Sequence, residues 1–157
     1  MKNIFMALAI MAMPFFVKAQ GKPSREATVK FIENNLKKFI GNNEDGDVFS
    51  ITDVSFDGET LVKKSVSSGE VSIDTYTGLH WDGLSIGKSE EPEIGSFGII
   101  TLHFDAPFTQ HMSYLNKTRT FSWVNLYVPF DKLESIEKAF LRLKEIYEEE
   151  NKDPFEN

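Results

Sequence analysis

The apolar positions first fall into a helical rhythm. Ala27, Phe31 and Ile32, then Leu36, Phe39 and Ile40, recur at three- and four-residue spacing, while Lys30, Glu33, Asn34, Lys37 and Lys38 fall largely on the other side. Ser24 is placed to cap this helix, Pro23 stiffens its approach, and Gly41 supplies the stop. Asn42 to Asp47 reads as a polar loop. The stripe has to be buried, so the helix packs against something.

From Val48 the period becomes two. Phe49 and Ile51 share one parity and Val54 and Phe56 the other, which a bulge near Thr52-Asp53 would reconcile. Asp57-Gly58 and Ser68-Gly69 are turns that make Thr60 to Ser67 and Glu70 to Tyr76 the next strands. Leu79 to Ile86 is a short segment interrupted by Asp82-Gly83, and Gly87 to Gly95 reads as a charged surface loop. Phe97 to Phe104 is a central strand, followed by a long connection containing Pro107. Thr120 to Phe130 then sets Val124, Leu126, Val128 and Phe130 on one side and Phe121, Trp123, Asn125 and Tyr127 on the other. Two largely non-polar faces both require cover.

Asp131 and Glu134 form a reciprocal capping pair for a last helix, buried through Leu133, Ile136, Phe140, Leu143 and Tyr147 with Ala139 and Ile146 alongside. The acidic run Glu148-Glu149-Glu150 lies at the unfavourable end of the helix dipole, so fraying should start there. The reading is an α+β fold: a single antiparallel, curved β-sheet, meander or half-barrel, with an N-terminal and a C-terminal helix packed on it. Over Val48 to Tyr147 the layout resembles the pleckstrin-homology-like half-barrel. The general layout also suits an open sheet backed by both helices, or a small cystatin-like or nuclear-transport-factor-like sheet. The basic loop by which some pleckstrin-homology-like members hold phosphoinositides has no counterpart among these acidic loops, so the resemblance implies no lipid-phosphate role. Fold would not fix function in any of these cases.

The N-terminus changes the setting. Lys2 precedes an apolar run from Ile4 to Val17, 14 residues long, short of the roughly 20 that span a bilayer. Val17 and Ala19 give the small-residue pattern of a signal peptidase site, so residues 1–19 read as a cleaved signal peptide. Residues 20–150 then form one secreted domain, periplasmic or extracellular, and 151–157 a flexible tail. Loss of Lys2 and Lys18 takes the formal charge from -7 to -9, which disfavours nucleic acid and adsorption to anionic lipid. No stable membrane insertion is expected after cleavage. The chain has no cysteine, which excludes disulfides and thiolate chemistry.

Candidate chemistry is sparse. His103 and Asp105 share a strand face, and His111 lies six residues beyond Asp105 in the connection, a set that would bind zinc only if the connection folded back. His103 with Asp105, or His80 with Asp82, could serve as a proton-handling pair in a small hydrolase or isomerase. Gly95-Ser96-Phe97-Gly98 lacks the glycine spacing of a nucleophile elbow. Asn43, Asp45 and Asp47 place oxygens at alternate positions, but the remainder of a calcium loop is missing. No catalytic residue, metal or cofactor is assigned.

The more informative feature is aromatic. Trp81, Phe121, Trp123 and Tyr127 are the candidate ligand-binding residues, with His80 and Asn125 as nearby polar groups. If the helices cover the Val124-Leu126-Val128 face, these rings form a second core, a cavity lining or a contact platform. The leading reading is a non-catalytic secreted binding or accessory protein whose partner is a small hydrophobic molecule, a glycan or an envelope protein. The alternatives are the small enzyme, a structural or inhibitory envelope protein, and a homodimer joined through the aromatic face.

Overall fold

The computed structural model describes residues 21–37, 39–42, 48–91 and 97–152. The expected signal peptide (1–19), the Asn43-Asp45-Asp47 oxygens, Ser96 and most of the expected tail lie outside them. Helix α1 spans Arg25–Leu36, and Ser24 caps it by accepting the Ala27 N–H at 3.3 Å. Its buried side carries Thr28, Ile32, Asn35 and Leu36. The expected stop at Gly41 is corrected: the helix ends four residues earlier than Ile40. Asn35 Nδ2 donates back to the Phe31 carbonyl at 2.8 Å in the last turn. The chain then enters β1, Ile40–Asn42, which pairs with the start of β2. Phe39 still reaches the core, but from an extended segment, and Ile40 faces solvent.

Among the described residues the sheet has seven antiparallel strands. Strands β2 (Val48–Asp57), β3 (Thr60–Ser67) and β4 (Glu70–Thr77) form the expected meander. The register of β2 on β3 shifts between Ile51 and Asp53, the bulge that the parity change requires. Gly58 turns the first hairpin at φ 56°, and Ser68 and Gly69 turn the second at φ 49° and 84°. A 3-10 turn at Trp81–Gly83 leads into β5, Leu84–Glu91. The surface loop expected from Gly87 is therefore corrected for its first half, since Gly87 to Glu91 pair with Thr101 to Phe97. It is an edge strand, where charged residues are at home.

Strand β6 runs Phe97–Met112 and β7 runs Lys117–Pro129. The expected connection around Pro107 is also corrected, because the strand continues through it. Strand β6 lies between three neighbours: β7 along one side, β5 and then β4 end to end on the other. Between the His103–Trp123 and Phe108–Phe121 pairs, β6 advances five residues while β7 advances two. Pro107 sits in that excess, where its missing N–H costs no ladder bond.

After a 3-10 turn at Phe130–Lys132, helix α2 spans Leu133–Glu150 and buries Leu133, Ile136, Phe140, Leu143 and Ile146. The expected Asp131–Glu134 capping pair is not formed. Asp131 instead meets Lys132 at 2.8 Å, and Ser135 Oγ donates to the Lys132 carbonyl at 2.9 Å. The result is a curved, half-barrel sheet with both helices packed on it. Val124, Leu126 and Val128 are buried beneath them. Trp81 anchors this core: its indole lies within 17° of parallel to Phe140 at 6.3 Å, meets Phe104 edge-on at 5.5 Å, and donates to the Gly58 carbonyl at 3.0 Å. Tyr147 donates to the same carbonyl at 2.9 Å and accepts from Arg25, whose guanidinium covers its ring, so α1, α2 and the first hairpin meet at one point.

Candidate functional site

Phe121 and Trp123 stand on successive same-side positions of β7, their rings edge-on at 6.1 Å. Trp123 is 47% exposed, on the side of β7 opposite Val124, Leu126 and Val128. Register sets its neighbours. His103 faces it across β6 and Ser85 faces His103 across β5, so a serine, an imidazole and an indole lie in one row. The next row holds Gly87, Thr101 and Asn125. Thr101 Oγ1 and Asn125 Oδ1 are 2.8 Å apart, the hydroxyl donating. Gly87 leaves that row without a side chain, and the two rows make a shallow polar floor beside a standing indole. His103 is exposed, as is Asp105.

The four aromatic residues singled out from sequence are not brought together. Trp81, 1% exposed, is in the core on the helix-covered side. Tyr127 belongs to a third group, stacked on Phe39 at 5.8 Å and edge-on to Phe97 at 5.5 Å and Phe49 at 5.7 Å. These rings draw the β1–β2 edge toward β7 where, among the described residues, no ladder joins β1 to β7. They fill the seam of the half-barrel. Ser85 and Thr101 are members of the Trp123 face that strand alternation on β7 alone does not reveal. Only the register of β5 and β6 against it places them.

Asp82 accepts from Asn151 Nδ2 at 2.8 Å and from the Gly83 N–H at 3.0 Å, and the Asn151 bond holds its carboxyl below the usual range. It latches the 3-10 turn to the end of α2. His80, which precedes that turn, makes no side-chain cap bond. The Asp105 carboxylate occupies the space that a side chain at Gly83 would need. His111 lies at the far end of β6, 3.1 Å from Thr118 Oγ1, so it does not join His103. Among the described residues no three histidines or carboxylates converge as a metal site, and no helix is long and apolar enough to cross a membrane. Neither the family models, the curated proteins nor the solved structures compared with this chain match it.

Proposed function

We propose that this is an exported, non-catalytic binding domain, and that it holds a glycan against the open face of β5, β6 and β7. The carrying observation is Trp123, a large ring left half exposed on a sheet face that neither helix covers. An indole stacks on the apolar face of a sugar ring while its surroundings serve the hydroxyls. Here His103, Ser85, Thr101 and Asn125 supply hydroxyl, amide and imidazole groups in the adjoining rows. Export rests on the apolar run and small-residue site at the N-terminus.

Because the chain has only two tryptophans, the test is direct. In a Trp81→Phe variant, all indole emission comes from Trp123. Titration with soluble oligosaccharides of a cell envelope should shift and saturate that emission, and Trp123→Ala should abolish binding while the protein stays folded. Saturable glycan binding that survives Trp123→Ala would refute the assignment. So would a stable dimer in sedimentation whose dissociation alone exposes Trp123, since the ring would then belong to a self-interface.

A further inference from the structure

A second surface, remote from Trp123, has the form of a ligand site. Residues of helices α1 and α2 line an open groove of about 670 Å³, within the range of about 300–1,000 Å³ usual for small-molecule sites. Its walls are Ala27 and Phe31 from α1 and Ala139 and Leu141 from α2, with Phe31 40% and Leu141 43% exposed. The two hydroxyls that also line it are already engaged: Thr28 Oγ1 donates to the Ser24 carbonyl at 2.9 Å and Ser135 Oγ to that of Lys132. The floor therefore behaves as apolar surface.

The rim carries the opposite sign to the acidic chain. Lys22, Lys138 and Arg142 line it, against one carboxylate, Glu145. That carboxylate is gripped by Lys22 at 3.0 Å and Arg142 at 3.0 Å, and Arg142 Nε also donates to the Pro23 carbonyl at 3.1 Å. One end of the groove is thus closed by an anion held between cations. Lys138, exposed and toward the other end, makes no ion pair among the described residues. An apolar trough with one uncommitted cation at its lip fits a molecule with a long alkyl body and a single anionic head.

We infer that this groove binds a free long-chain carboxylate, its alkyl chain on Ala27, Phe31, Ala139 and Leu141 and its head on Lys138. With the head on Lys138, the run of α2 from there to Glu145 is about 10 Å long and seats roughly the first eight carbons of a saturated chain. This site is independent of the glycan face.

The test uses the whole protein and monomeric dodecanoate, below its micelle concentration, followed by calorimetry. One molecule should bind per chain. Lys138→Glu should weaken it about tenfold or more by replacing attraction with repulsion, and Phe31→Ser should weaken it by wetting the floor. Both side chains are exposed, so the variants should keep the wild-type circular dichroism. Dodecyltrimethylammonium should bind more weakly than dodecanoate, and Trp123→Ala should bind dodecanoate as the wild type does. The inference is overturned if dodecanoate shows no saturable binding, if both groove variants bind it unchanged, or if the protein takes up only anionic vesicles, which would make the groove a membrane contact.

Discussion

Replacing Trp81 by alanine should come close to unfolding this domain, although its neighbour in type, Trp123, can be removed at little cost. Trp81 is 1% exposed and touches Phe56, Phe104, Phe140 and Tyr147. A buried aromatic ring hides about 150–250 Å², worth roughly 4–6 kcal/mol at about 25 cal/mol per Å². Truncations of this kind cost about 3–5 kcal/mol, which gives a working figure of about 4. In urea, with a slope of about 1.5 kcal/mol/M, the midpoint should fall by about 2.7 M. Trp81→Phe keeps a ring against Phe140 and loses the bond to Gly58, whose carbonyl retains Tyr147. It should cost about 1–2 kcal/mol. Trp123→Ala should cost about 1 kcal/mol or less. Far-ultraviolet circular dichroism follows all three. A loss below about 1 kcal/mol for Trp81→Ala, or an equal loss for Trp123→Ala, would refute the assignment of the two rings to core and surface.

Three further outcomes follow from local geometry. Lys63 and Asp74 are both buried on facing strands, 3.3 Å apart; Asp74→Asn should destabilise by about 3–5 kcal/mol in urea titrations, because it strands a buried ammonium, whereas Lys63→Met with Asp74→Leu should be far milder. Burial, reinforced by Asp74, raises the Tyr76 hydroxyl above its ordinary range. Its folded form thus keeps a proton that the unfolded chain releases, so its contribution to stability is constant below about pH 10 and stability falls as pH rises above it. Burial raises the Tyr147 hydroxyl in the same direction, so Tyr76→Phe should make that alkaline slope shallower in melting curves taken across it without abolishing it. A methyl group at Gly98 would stand 2.8 Å from Leu133 Cδ1 at the buried start of α2, so Gly98→Ala should cost about 1–3 kcal/mol. At Gly83 the obstacle is the exposed Asp105 carboxylate, which can swing aside, and thermal melts of Gly83→Ala should shift less.

Local chemistry explains which elements were legible. The β2–β4 meander announces itself because its turns need positive φ at Gly58, Ser68 and Gly69, and its bulge shows as a change of parity. The buried stripe of α2 is equally plain. Other local rules misled. Phe39 and Ile40 extend the α1 stripe in number, yet Phe39 takes its place in the core from extended chain, its carbonyl accepting from the Ile51 N–H at 3.1 Å. Pro107 usually marks a break, but it falls where β6 has no ladder partner to lose. The candidate site suffered from a different limit. Alternation on β7 pairs Phe121 with Trp123 and also enrols Tyr127, because parity says which side a ring takes and nothing about what covers it. Tyr127 is covered by Phe39 and Phe49, whose approach depends on how far the sheet curls. His103 and Asp105 also share parity, and the register shift that begins at His103 separates their roles.

One sheet face is open at Trp123 while the other is sealed around Trp81. Acrylamide quenching of the two single-tryptophan variants, Trp81→Phe and Trp123→Phe, measures this most directly. Trp123 should emit to the red and be quenched readily, and Trp81 should emit to the blue and be protected. Two protected indoles, or the reverse order, would contradict it.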